Sequence, residues 1–127
     1  MAEAVFDASA ILALLNDEQG AERALQYLGG ACISAVNVAE VAGRLEASGL
    51  TSDESRDAFM ALGVEVIHFD SSLAWIAAGL YQPTRALGLS LGDRACLATA
   101  TQLGLPTVTA DRQWSKLKLG IKVISIR

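Results

Sequence analysis

The chain has 127 residues, of which 52% are apolar and 19% charged, with a net charge of −4. That length fits one domain over 1–127 and buries roughly two-thirds of its unfolded surface, and the composition excludes a disordered or fibrous chain. The acidic balance excludes nonspecific nucleic-acid binding through overall charge, and no apolar run reaches the ~20 residues of a membrane span.

In chain order, EAVFD reads as a short buried strand ending in Asp7, and SAILALLND as a helix. GAERALQYLGG reads as a second helix closed by glycines. CIS is a buried strand, AVNVAEVAGRLEASG a helix with a glycine stop, and SDESRDAFMALG a helix with Ser52 or Asp53 as its N-cap. VEVIHF is a strand. DSSLAWIAAGLYQPTRALG is a long helix that Pro83 interrupts or kinks. SLGDRACLATATQLG is a helix with a glycine C-cap, PTVTA a strand, DRQWSKLKLG a short helix and IKVISI a last strand. Strands alternate with helices, and continuously apolar strands need cover on both faces. The expectation is an α/β fold, a three-layer α/β/α sandwich around a mainly parallel sheet.

The opening MAEAVFDASA lacks the basic stretch of a signal peptide, so a cytoplasmic location with no membrane contact is expected. Cys32 and Cys96 lie in apolar stretches and read as buried small hydrophobes. With one histidine, they match no zinc spacing. Residues 1–84 hold 12 acids and 3 bases, whereas residues 85–127 hold 2 acids and 7 bases. The basic third is either a phosphate-binding face or a solvated surface balancing the other half. Its two acids are Asp93 and Asp111.

In open parallel sheets the functional site lies beyond the carboxyl ends of the strands. The acids at such places are Asp7, Asp70 and Asp111, with Glu40 and Asp93 near helix starts. Helix capping alone accounts for Asp7, Asp70 and Asp111, since a carboxylate accepts orphan N–H groups and favours the positive end of the helix dipole. Ser90 and Asp93 have the spacing of a capping box. Glu40, in VNVAEVAGRL, fits neither a cap nor a solvated face. Carboxylates gathered at about 5 Å would repel by roughly 3 kcal/mol per pair at an effective dielectric of ~20. Such a cluster calls for protons or a hard cation, Mg²⁺ or Mn²⁺, suited to chemistry on phosphate.

Four stretches carry a family likeness: VFDASAILALL (5–15), ISAVNVAEVAGRL (33–45), GLSLGDRACLATA (88–100) and TVTADRQW (107–114). With them the chain resembles PIN-domain ribonucleases, and among those the VapC toxins of toxin–antitoxin pairs. The resemblance implies that Asp7, Glu40, Asp93 and Asp111 hold Mg²⁺ or Mn²⁺ and carry catalysis. It matches Ser9 and Thr109 to supporting hydroxyl positions; Asn37, and Ser34 if it is not only a cap, lie beside Glu40. It further implies water attack on RNA phosphodiesters to leave 5′-phosphate and 3′-hydroxyl ends, a cytoplasmic homodimer, and silencing by a VapB-like antitoxin. Arg94, Arg112, Lys116 and Lys118 are candidates to meet RNA phosphates, which gives affinity rather than sequence choice. Arg44 and Arg85 read as surface ion pairs before groove residues. Trp114 is open to base stacking or packing. Asp70 belongs to no motif of the family and is expected to be only a cap, and His68 to be structural. The helices VAEVAGRL and SLAWIAAGLY are open to being core or association faces.

Rival readings lack their residues. A dehalogenase-type phosphatase needs a second acid where Ser9 stands. A receiver domain needs paired acids at the first strand end and a lysine after the last strand. No phosphate-binding glycine loop is present. The remaining alternative is a non-catalytic PIN-like module that binds RNA or protein.

Overall fold

The computed structural model describes all residues 1–127. Five strands form one sheet: β1 (Ala4–Phe6), β2 (Ala31–Ser34), β3 (Glu65–Ile67), β4 (Thr107–Thr109) and β5 (Val123–Ser125). Their order is β3-β2-β1-β4-β5, and every pairing is parallel, so the expected mainly parallel sheet is wholly so. β1 is central. The chain winds outward from it through β2 to β3, then returns to β4 on its other side. That reversal opens a crevice between the ends of β1 and β4, the place where parallel sheets build their sites.

Seven α-helices cover the sheet: α1 (Ala8–Leu15), α2 (Ala21–Leu25), α3 (Ala35–Ala47), α4 (Ser52–Met60), α5 (Ser71–Gly79), α6 (Tyr81–Thr84) and α7 (Leu91–Leu103). The period of two along the strands sorts their side chains between the two faces. Phe6 and Ile33 pack with Ile11, Val41, Leu45 and Phe59 of α1, α3 and α4. Val5 and Cys32 face the other way and meet Cys96 and Leu97 of α7, with Trp114. Both cysteines are free thiols in that second layer, as their apolar context predicts. α7 is pressed between the sheet and α5, and every residue from Ala95 to Ala100 is buried. Small side chains permit that close approach, and the Thr99 hydroxyl is satisfied by donating to the Ala95 carbonyl at 2.9 Å.

Several boundaries differ from the sequence reading for identifiable reasons. The N-cap of α4 is Thr51 rather than Ser52 or Asp53: its hydroxyl and the Glu54 carboxylate exchange hydrogen bonds with the two backbone N–H groups in a capping box. The long helix over 70–88 breaks at Leu80, between α5 and α6. Pro83 has no N–H to reach the carbonyl of Gly79, and its ring would collide with it. The segment 20–30 is helical only to Leu25, with a single 3₁₀ turn at Leu28–Gly30. The helix expected over 111–120 is a 3₁₀ stretch, Arg112–Lys116. No helix is long and apolar enough to cross a membrane.

Candidate metal centre at the carboxyl end of the sheet

Asp7 is the first residue after β1, and its carboxylate is almost wholly buried. Its Oδ1 accepts from the Ser9 hydroxyl at 2.7 Å and the Ala10 N–H at 2.9 Å, and its Oδ2 accepts from the Thr109 hydroxyl at 2.6 Å. Burial pushes the carboxyl up to about 6 from an ordinary 3.8, against these three hydrogen bonds and with a smaller push from the Asp93 charge. The supporting hydroxyls reach further. Ser9 Oγ accepts from the Ala110 N–H at 2.9 Å, and Thr109 Oγ1 from the Asp111 N–H at 3.0 Å. Two hydroxyls thereby tie the end of β1 to the end of β4, fixing Asp111 relative to Asp7.

Asp111 begins the 3₁₀ stretch, where its Oδ1 accepts from the Gln113 N–H at 2.9 Å. Asp93 closes the capping box of α7: its Oδ2 accepts from the Ser90 N–H at 2.9 Å, and Ser90 Oγ accepts from the Asp93 N–H at 3.2 Å. Ser34 caps α3 by accepting from Val36 N–H, so the capping role weighed for it is present. One turn into α3, the fully buried Asn37 holds Glu40: its Nδ2 donates to Glu40 Oε1 at 2.6 Å and to the Gly92 carbonyl of α7 at 3.0 Å. Gly92 was not singled out in the sequence. A methyl group there would lie 2.5 Å from Glu40 Cδ and closer still to both carboxylate oxygens. The residue before Asp93 is therefore bare where the Glu40 head group lies. A glycine in the first turn of a helix, directly before an acid, was the available signal.

Asp7, Glu40, Asp93 and Asp111 line one cavity of about 440 Å³, together with Ser9 and Arg44. No three of the carboxylates converge as a ligand set for a single ion in this arrangement. Each is instead held by donors of the protein, consistent with mutual repulsion among unneutralised charges. Glu40, Asp93 and Asp111 each keep one carboxylate oxygen free of hydrogen bonds. Asn37 Oδ1 is buried without a partner. An all-oxygen, anionic donor set with spare lone pairs suits a hard divalent cation.

The other candidates lie elsewhere. Asp70 caps α5 by accepting from the Leu73 N–H at 3.0 Å and lines none of this cavity, as expected of a plain cap. Arg94 faces α5 and α6: its guanidinium sits 5.4 Å from the Tyr81 ring centre, and Nη1 reaches toward the Ala77 carbonyl. Arg112 and Lys116 are exposed on the 3₁₀ stretch after Asp111, outside the cavity wall. Trp114 is fully buried in the second core layer, so packing, not base stacking, is its role. His68 is exposed beside the edge strand β3 rather than built into the core. Arg44 lines the cavity, and the chain's one ion pair joins Arg127 to Glu18, so the ion-pair reading of Arg44 fails.

The family model of the PIN domain matches residues 4–119. No curated protein matches the sequence. Among solved structures, a toxin–antitoxin complex from Klebsiella pneumoniae is similar, at 24% identity over 98% of each chain with a TM-score of 0.75. So is a DNA-bound VapBC from Salmonella typhimurium, at 20% identity over 100% of each chain and a TM-score of 0.75. A sarcin–ricin-loop-cleaving VapC toxin of Mycobacterium tuberculosis aligns at 17% identity over 90% of this chain and 94% of its own, with a TM-score of 0.72.

Proposed function

The chain belongs to the PIN-domain family, and from that premise we propose that it is a divalent-metal-dependent endoribonuclease of the VapC toxin type. The observation that carries this reading is that Asp7, Glu40, Asp93 and Asp111, from four separate elements, all line one cavity at the carboxyl ends of β1 and β4. These carboxylates would hold Mg²⁺ or Mn²⁺. When bound, such an ion lowers the pKa of a water and offsets charge developing on the phosphate.

The protein's own groups prepare the site. Ser9 and Thr109 each donate to Asp7 and accept from the chain after β4, so the two strand ends keep a fixed separation. Asn37 holds Glu40 against α7 and so sets its distance from Asp93. Asp7, raised by burial, is the carboxyl most in need of a cation at neutral pH. Water supplies the nucleophile, so the products carry 5′-phosphate and 3′-hydroxyl ends. The partners that fit this reading are an RNA substrate, a VapB-like antitoxin and a second copy of the chain. Trp75, Tyr81 and Leu91 are exposed around α5 and α7, and Val38, Ala42, Phe59 and Met60 line a groove between α3 and α4.

The test is cleavage of RNA by the purified chain in Mg²⁺ or Mn²⁺, with EDTA and Asp7→Asn as controls, and with the product ends mapped. A 2′,3′-cyclic phosphate product, or cleavage that persists in EDTA, contradicts the reading.

A further inference from the structure

The acid cavity is not closed on the side of α1 and α3. A second cavity of about 510 Å³ adjoins it, and the two share Ser9, Leu12 and Arg44. Arg44 therefore stands on the boundary. It is the only basic side chain on the wall of the acid cavity. It lies four residues after Glu40 on α3, so one helical turn, about 6 Å, separates them on the same face.

At that spacing a glutamate and an arginine ordinarily pair. Here Glu40 is turned back to Asn37 and pressed against Gly92, and Arg44 forms no ion pair. The charge of Arg44 is left unspent beside four acids. The second cavity differs from the first in character. Its wall carries Asn16, Ser48 and Arg127, with Glu18 as its single acid, and Glu18 is already paired with Arg127 at 3.2 Å. The Arg127 guanidinium is held in place by donating to the Gln19 carbonyl at 2.7 Å. An acid-lined cavity thus adjoins one whose single acidic side chain is already paired, so that Arg44 is the unpaired charge on the wall they share.

We infer that Arg44 and the adjoining cavity form a phosphate subsite that seats the backbone of the RNA strand one nucleotide step from the bond held at the acids. The inference rests on the reading of the acid cavity as an RNA-cleaving centre. It assigns strand positioning to Arg44 of α3, rather than to Arg94, Arg112 or Lys116 in the basic third of the sequence. A guanidinium presents a fork that matches phosphate oxygens, so this position distinguishes arginine from a mere positive charge.

The experiment measures binding of a fluorescently labelled ten-residue oligouridylate in Mg²⁺, by anisotropy over a series of salt concentrations. Asp7→Asn is the common background, so that the strand is not hydrolysed. Arg44→Gln should weaken binding about tenfold and flatten the slope of log K against log salt by about 0.7, the share of one phosphate contact on a single strand. Arg44→Lys should restore the slope but only part of the affinity. Lys122→Gln removes the same charge just before β5, at the opposite end of the sheet, and should change neither. The inference is overturned if Arg44→Gln binds like its parent, if Lys122→Gln weakens binding equally, or if the parent binds no single strand. Metal-dependent cleavage by the unmutated chain, together with Arg44-independent binding, sinks the subsite and leaves the nuclease standing. Arg44-dependent binding without cleavage does the reverse.

Discussion

Gly92→Ala separates the stability of this fold from the geometry of its site. Gly92 is buried in the first turn of α7 with an ordinary helical backbone, so alanine fits its conformation. In a helix interior that exchange stabilises by about 1 kcal/mol, and somewhat less this near the N-terminus. The added methyl would lie 2.5 Å from Glu40 Cδ, whereas non-bonded carbons rest at about 3.5–4.0 Å. The carboxylate must retreat by about 1 Å. It is the end of a flexible, exposed side chain, so it can do so. The retreat strains or breaks its 2.6 Å bond from Asn37, a charge-assisted contact of about 1.5–3 kcal/mol. Solvation of the freed carboxylate offsets part of this, so net stability should stay within about 1 kcal/mol of the parent. The site should fare much worse, because a misplacement of about 1 Å costs on the order of 10²-fold in rate. Thermal melting without metal, the rise in Tm on adding Mn²⁺, and kcat/KM for RNA cleavage read the three quantities separately. The expected pattern is an unchanged metal-free Tm, a smaller Mn²⁺-induced rise and a large loss of kcat/KM. A variant that cleaves and responds to Mn²⁺ like the parent refutes the claim that Gly92 exists to clear space for Glu40. A variant that unfolds refutes the claim that Glu40 is free to move.

Three further outcomes are expected. Between pH 4 and 6 the folded chain holds a proton on Asp7 that the unfolded chain has lost, so metal-free stability falls as pH rises through that window, by about 3 kcal/mol in all. Urea unfolding of Asp7→Asn should lack that decline, and the stabilisation that Mn²⁺ gives the parent should fade below about pH 6; parallel pH profiles for parent and variant would disprove both. Thr109→Val leaves the Asp7 Oδ2 and the Asp111 N–H without their shared partner. It should cost about 1–3 kcal/mol and weaken Mn²⁺ binding by calorimetry, and Thr109→Ser should recover most of both. Asp70→Ala removes the cap of α5 and should lower stability by about 1 kcal/mol while leaving RNA cleavage at the parental rate, whereas a loss of cleavage would mean that capping and function had been assigned to the wrong aspartates.

The layered α/β plan was legible because the strands are short apolar runs bounded by glycines, acids or helix caps, and the helices between them carry strong stop signals. Glu40 stood out as an acid in an apolar stretch, but the expectation that it avoids a solvated face fails: it is exposed, on the wall of an open cavity. What escaped were features that exist only between elements. Glu65 and Val66 look like part of a buried strand, yet β3 is the sheet's edge and both are exposed. Arg44 looks like half of a surface ion pair, yet Glu40, one turn before it, is held by Asn37 of its own helix and lies against Gly92 of α7, and Arg44 forms no ion pair. Gly92 looks like a mild helix defect until the side chain opposite it is known. Trp114, in a basic polar stretch, is drawn inside because the chain after β4 folds back over the second core layer.

Capping and metal binding stand in the sequence as competing explanations of the aspartates, but the observed caps leave room for both. Asp7, Asp70 and Asp111 each accept an N–H at the start of a helical turn, and Asp93 accepts one from Ser90. A parallel sheet feeds each strand into a helix start, so it sets carboxylates at its carboxyl edge for local reasons alone. The cap occupies one oxygen of Asp93 and one of Asp111 and fixes the side chain, while the second oxygen stays free. The difference between Asp70 and Asp111 lies in strand order. β4 lies beside β1, so the Asp7 carboxylate and the Asp111 N–H share the Thr109 hydroxyl, whereas β3 is two strands away at the edge and Asp70 lines none of that cavity. A capping acid that also served the proposed cation would need no new local motif, only a strand placed next to the central one.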